Sequence, residues 1–357
     1  DLNTGLDFQT SNPDYNTFDQ FKSLFNRFEY NRFSGLRYKS QLGLDFVYEI
    51  VEGPKISDSI ASIYHCSLFT QSSFQINDDL ITQFGLRIPY HSMYSMNLIP
   101  SIHFKYDINN QNQIRLSYSR GFRSPTIKEL FMEFIDINHN IIGNSGLNPE
   151  KSNAFQISLS SLPKQDDKIY FSFNLEGFLN FLDNKIELAR IQNSDVYTYY
   201  NLEHSTYYGS NTFVKLDVKS IMNTISSFNI MWNMFYIDNS SFSYKVPRHN
   251  LSIAYKYKYM PCDCGLNINW RLKSKYEYQA FNDNNDLEVY EQMGYQLLNF
   301  NLFKEFKEIN TSVIFGIKNL FHITDVNYAM QDDIHSGDFS TISWGRTVFL
   351  QLSWKPF

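Results

Sequence analysis

The sequence predicts an all-β chain folded as a transmembrane, antiparallel up-and-down β-barrel, on three observations. Apolar and polar residues alternate with period two through most of the chain. The connections between these runs are short and long by turns. Aromatic residues make up 17% of the 357 residues, including 25 Tyr and 32 Phe, as suits a barrel with aromatic girdles at both membrane interfaces. Mean hydropathy is -0.38, and no run approaches the roughly 18 apolar residues of a membrane helix, which excludes a helical membrane protein. Both facts fit a barrel, whose strands are apolar on one face only. A soluble barrel is the alternative.

In chain order, alternation places strands near 2–10, 21–33, 37–51, 60–76, 80–91, 98–107 and 111–120. They continue near 151–163, 167–190, 196–219, 222–239, 245–259, 262–277, 289–305, 309–318 and 344–355, about sixteen in all. Short polar turns fall at Phe33–Leu36, Asn77–Asp79, Ile108–Gln111, Pro163–Asp166, Ser220–Ile221, Met260–Pro261 and Lys307–Glu308. The connections between those are mostly longer, and 121–150 is the longest. An outer-membrane meander has this asymmetry, with tight periplasmic turns and long extracellular loops. The faces agree: Leu266, Ile268, Trp270 and Leu272 alternate with Asn267, Asn269, Arg271 and Lys273. Many runs also exceed the five or six residues usual in soluble sheets.

The stretch from Ser117 to Phe155 organises the rest. Ile114, Leu116 and Tyr118 alternate with Arg115, Ser117 and Ser119 as a strand, which Pro125 ends because it has no amide hydrogen to donate. Thr126 and Glu129 have capping-box spacing, and Ile127, Leu130, Phe131 and Phe134 follow at helical spacing. That predicts one or two turns of amphipathic helix over something apolar. A polar tip from Asp136 to Gly146 carries His139, and Pro149 leads into the next strand.

Three pieces of this stretch carry a family resemblance. Phe122-Arg123-Ser124-Pro125, Lys128-Glu129-Leu130 and Gly143-Asn144-Ser145-Gly146-Leu147-Asn148-Pro149-Glu150 resemble the paired boxes of TonB-dependent outer-membrane receptors. The haem and cobalamin receptor branch is the most similar, with Ser124 where that branch has alanine, and with the proline and aspartate of its second box replaced. Gly316–Phe321, Trp344–Arg346 and the terminal Phe357 resemble the family's closing segment, so the similarity runs from about Phe84 to the end. The resemblance implies that residues 1–357 are the C-terminal part of a twenty-two-stranded barrel. These would be strands seven to twenty-two, with an extracellular loop at 121–150. A plug domain and a TonB box are expected upstream, since the chain opens in mid-strand without a signal peptide.

The resemblance further implies active uptake of a scarce, bulky nutrient across the outer membrane of a Gram-negative bacterium. The expected ligand is a metal chelate, haem or cobalamin first and an iron siderophore second, with no intrinsic cofactor. The expected partners are the TonB-ExbB-ExbD energising complex, acting through the plug, the outer-membrane lipid and a surface lipoprotein. A passive porin, an adhesin and a barrel hydrolase remain alternatives.

Each candidate residue has a second reading. His139 is a ligand of chelated iron or cobalt, the one metal contact expected, or an ordinary loop histidine. Phe131, Phe134 and Tyr328 stack on a flat ligand, or belong to the interface girdle. Arg123 and Glu129 act at the gate, or serve structure, Arg123 by pairing with a rim carboxylate and Glu129 by capping the helix. Phe122, Pro125, Asn144, Leu147 and Pro149 position the loop. Tyr197, Tyr199, Tyr200, Tyr207 and Tyr208 read as rim or girdle packing. Arg271, Lys273 and Lys275 make one inner wall basic, to meet acidic groups of a plug or an anionic substrate.

The net charge of -6 with scattered basic residues argues against nucleic acid. No GxSxG elbow, HExxH or P-loop is present, so the chain does not read as an enzyme. The three cysteines Cys66, Cys262 and Cys264 cannot all pair internally. Cys262 and Cys264 read as two turn residues, too close for an ordinary disulfide.

Overall fold

The computed structural model describes residues 18–35, 37–135, 139–162, 168–191, 194–220, 222–239, 242–243, 247–281, 287–327 and 339–355. One antiparallel sheet dominates. Its first part comprises β1 (Gln20–Ser34), β2 (Tyr38–Glu52), β3 (Ile60–Gln75), β4 (Leu80–His91), β5 (Ile99–Asp107), β6 (Asn112–Arg123), β7 (Glu150–Ser161) and β8 (Ile169–Arg190). It continues through β9 (Tyr197–Lys219), β10 (Thr224–Asn239), β11 (Arg248–Tyr259), β12 (Cys264–Lys273), β13 (Tyr295–Phe306), β14 (Thr311–Lys318) and β15 (Thr347–Trp354). Each of these strands pairs with the next in chain order, which is the expected meander. Among the described residues no ladder joins β1 to β15.

The tight turns follow from asparagine and aspartate chemistry. Asn77 Oδ1 accepts from the amides of Asp79 and Leu80, and Asn109 Oδ1 from those of Gln111 and Asn112. Asn223, Asp263 and Asn310 take left-handed backbone at φ 57°, 49° and 46°, a conformation these residue types tolerate better than most. The wall therefore reverses direction in a few residues at one end, while the other end carries the longer connections.

Register sorts the side chains into two faces. Leu44, Leu68 and Ile88 align across β2 to β4, and Ile268 lies between Tyr255 and Phe300 across β11 to β13. That face is apolar, and most of its large side chains are exposed. The other face is polar. It carries Asp45, 4% exposed, whose carboxylate accepts from Arg27 at 2.5 Å and from Arg87 at 2.7 Å.

Two strands are shorter than the sequence suggests. The run near 262–277 ends at Lys273, and the run near 289–305 begins its main-sheet pairing only at Tyr295. Between them Tyr276–Phe281 and Leu287–Gln292 form a separate ribbon. Gly294 permits this exit, because a Cβ there would meet the backbone of Lys273 to Lys275 at 2.7–2.9 Å. Lys275 is thus no part of the polar wall; it pairs with Glu291 at 3.1 Å. The strand expected near 2–10 and the terminal Phe357 lie outside the described residues.

The cysteine reading is corrected as well. Cys262 and Cys264 form a disulfide, because left-handed Asp263 folds the turn and sets their Cα atoms 5.3 Å apart, within ordinary disulfide reach. Cys66 is a free thiol.

Candidate functional site

The connection between β6 and β7 begins with a clamp. Arg123 and Glu150 are register partners on the two strands, and the guanidinium donates through Nε and Nη2 to both carboxylate oxygens at 2.8 and 2.7 Å. Nη1 donates to Glu129 at 3.0 and 3.1 Å, which ties the clamp to the first helical turn. Glu150 also accepts from the amide of Ile186 at 2.9 Å. Burial pushes the Glu150 carboxyl up, but the hydrogen bonds from Arg123 and from Ile186 outweigh it and hold the group below its ordinary range.

Pro125 is fully buried, and the expected capping box is present. The Glu129 amide donates to Thr126 Oγ1, while Glu129 Oε2 accepts from the Thr126 amide at 2.7 Å. The helix α1 (Ile127–Phe131) is one turn long. Phe134 lies beyond it, in a small hairpin of Glu133–Ile135 with Asn140–Ile142.

The loop folds across the polar side of the sheet. Ile127, Leu130 and Leu147 are at most 4% exposed and pack with Val51, Ile56, Ile63 and Ile186. Val51 and Ile63 alternate with the exposed apolar residues of β2 and β3, so they point to the polar side. Burial of this kind contributes roughly 1.5–3 kcal/mol per large aliphatic side chain. Two walls hold the loop. On one, Ser57 donates from its amide and hydroxyl to the Phe131 carbonyl at 2.9 and 2.8 Å, and Glu133 donates to the Lys55 carbonyl at 2.7 Å. On the other, Asn144 Nδ2 donates to the Tyr199 carbonyl at 2.8 Å. Asn148 and Asn201 exchange hydrogen bonds at 2.8 and 2.9 Å, and Ile141–Ile142 pair in parallel with Tyr197–Thr198. Gly143 lies where a Cβ would meet the Leu130 carbonyl group and the Phe131 amide at 2.7–2.8 Å.

The expected positions divide accordingly. Arg123, Pro125, Glu129, Asn144 and Leu147 hold the loop in shape. Pro149 accepts a long contact from Asn184 at 3.5 Å, and Phe122 sits opposite Lys151 on the apolar side. Phe131 is half-buried against the apolar cluster, so it belongs to the loop's foundation. Phe134 and His139 pack with ring centroids 4.5 Å apart and planes tilted by 37°, and Lys55 Nζ lies 4.8 Å from the Phe134 centroid. Tyr328 lies outside the described residues. Tyr199 supports the loop, whereas Tyr208 stacks on Tyr236 on the apolar side. Arg271 and Lys273 remain on the polar wall, Lys273 over the Tyr295 ring at 5.6 Å.

Sequence reasoning missed Lys55, Asn201 and Tyr94. Tyr94 is held close to Glu129; burial, and then that negative charge, push its hydroxyl up. The Tyr94 hydroxyl and His91 Nε2 are buried and have no hydrogen-bond partner among the described residues. Among the described residues there is no cluster of three metal-ligating side chains.

Comparisons place this architecture. Residues 1–320 match the family model described as TonB dependent receptor-like, beta-barrel. No curated protein matches. Among solved structures, the siderophore receptor PirA from Acinetobacter baumannii is similar at a TM-score of 0.71 and 15% identity, over 94% of this chain and 55% of that one. PirA from Pseudomonas aeruginosa gives 0.66 and 15%, over 94% and 55%. A mutant of the P. aeruginosa ferric enterobactin receptor in complex with enterobactin gives 0.70 and 15%, over 94% and 54%. The chain spans little more than half the length of these structures. At this identity they share its fold, and the polar side of the sheet is the barrel's lumen. The apolar face meets the outer membrane, and the chain belongs to the TonB-dependent receptor β-barrel family.

Proposed function

We propose that the protein takes up a scarce, bulky metal chelate across the outer membrane, with a ferric siderophore as the first substrate class and haem or cobalamin as the second. One observation carries the reading. The loop between β6 and β7 is folded into the mouth of the lumen and tethered to both flanking walls. Its hairpin carries the ring pair of Phe134 and His139 with Lys55 beside it, a cationic and aromatic surface suited to a flat or anionic chelate. The siderophore class comes first because the structural neighbours are siderophore receptors, one of them in complex with enterobactin. An energising TonB-ExbB-ExbD complex and a plug supplied by the rest of the protein belong to the same reading.

The test is a titration of the full-length receptor in detergent with ferric enterobactin, haemin and cobalamin in parallel, followed by absorbance and intrinsic fluorescence. Saturable binding of ferric enterobactin that is insensitive to haemin supports the siderophore class. A haemin band shift lost in His139→Ala moves the assignment to haem. A folded receptor that binds none of the three overturns the chelate reading.

A further inference from the structure

The membrane-facing side carries a depression that uptake leaves unused. It spans β5 to β10 and encloses about 680 Å³. Its floor is Gly177 and Ser210, directly opposed in register, with the larger Ile157 and Met234 on the strands to either side. Its walls are two ring pairs, Tyr118 with Phe155 at 4.9 Å and Tyr208 with Tyr236 at 5.0 Å and 8° between planes. These residues share the apolar face, opposite the side on which the central loop lies. An apolar groove of this width offers a slender apolar chain dispersion contacts along its lining.

The mouth of the groove supplies charge. Arg120 lies two residues beyond Tyr118 on the same face, in register with Asn153, and Lys151 lies one residue pair further, between Phe122 and Asp183, whose carboxylate contacts His204 at 2.6 Å. Two residues along a strand cover about 7 Å, so Arg120 lies one step and Lys151 two steps above the ring pairs, toward the extracellular loops. Tyrosines mark the interface, so both cations stand at the level of lipid headgroups. Among the described residues neither has an ion pair, whereas Lys105 and Lys258 are both paired with carboxylates.

We propose that this groove binds one acyl chain of an outer-leaflet lipid whose anionic, phosphate-bearing headgroup is held by Arg120 and Lys151. The site is independent of the transported ligand.

The experiment is native mass spectrometry of the full-length receptor, delipidated and then titrated with dioleoyl phosphatidylglycerol or dioleoyl phosphatidylcholine. The anionic lipid is retained as a discrete adduct roughly thirtyfold more tightly, as two basic groups near a headgroup require. Gly177→Leu fills the groove and weakens retention of both lipids. A Cβ there meets Ile157 Cγ2 at 3.4 Å, an ordinary contact, so the strand accommodates it. Arg120→Gln with Lys151→Gln erases the preference between lipids and leaves chain binding. Equal retention of the two lipids by the unmodified receptor, or unchanged retention by Gly177→Leu, overturns the proposal. Heat-modifiable migration checks each variant; should Gly177→Leu fail to assemble, Ser210→Leu reaches the same groove and decides.

Discussion

Arg123 and Glu150 close the neck of the central loop with a two-pronged ion pair at 2.7 and 2.8 Å, on neighbouring strands and in register. The geometry is the strong form of an arginine–carboxylate contact, and it also engages Glu129. Arg123→Ala leaves two carboxylates facing each other across the neck. Its expected cost to loop closure is about 1 kcal/mol, below the usual range for a charged hydrogen bond because the guanidinium is 42% exposed and screened by solvent. Hydrogen exchange of 126–148 reads it: exchange should quicken there and remain unchanged in β8 and β9. Arg123→Lys should restore charge but not the fork, and so rescue only in part.

The same pair predicts an acid dependence. The Glu150 carboxyl is held below its ordinary range in the folded loop. A depressed carboxyl contributes stability fully above its unfolded pKa, about 4.3, and loses it as pH falls through the folded value. Loop protection should therefore be flat from neutrality to about pH 5 and should fall only in stronger acid. Limited proteolysis across pH 7 to 3 checks this, and Glu150→Gln should remove the protonation step. A loop that opened between pH 7 and 6 would point to a histidine instead.

Gly143→Ala should unseat the loop without unfolding the barrel. The added methyl meets the Leu130 carbonyl group and the Phe131 amide, which are backbone atoms fixed by the buried helix. Overpacking of this kind costs about 1–3 kcal/mol. Chelate affinity should fall while heat-modifiable migration persists. Unchanged affinity would show that the loop's packed position has no part in binding.

How much of this was legible depends on range. The strands were, because Leu266, Ile268, Trp270 and Leu272 declare their face within eight residues. The capping box of Thr126 and Glu129 was legible for the same reason, being four residues long. The loop's destination was not. Leu130 and Leu147 look equally apolar whether they cover the lumen or the membrane, and their partners Val51 and Ile186 are set by barrel curvature. Nothing in the local sequence around Asn201 marks it as the partner of Asn148. The pairing of Cys262 with Cys264 was missed because sequence separation alone hides the left-handed turn at Asp263.

Deleting 126–148 should separate the two halves of the uptake proposal. The ladder between β6 and β7 runs from Asn112–Ser161 to Arg123–Glu150 and does not depend on the loop's interior. A short linker from Pro125 to Pro149 should therefore leave assembly intact and abolish saturable chelate binding. Full binding by the shortened receptor would sink the loop's role and turn attention to the buried Tyr94 hydroxyl and His91.

Ile268→Arg tests which side of the sheet meets lipid. Ile268 sits between Tyr255 and Phe300 at mid-strand on the apolar face, with Asn267 and Asn269 pointing the other way. An arginine at the bilayer midplane of a barrel costs about 2–4 kcal/mol, whereas the same residue in a polar lumen costs little. Unfolding from lipid vesicles should register the full penalty, and Asn269→Arg, one residue along, should not. If the two variants are equally stable, the assignment of faces is wrong, and with it the placement of the acyl-chain groove on the membrane side. If only Ile268→Arg is destabilised, the alternation read from the sequence and the register of β11 to β13 describe the same wall.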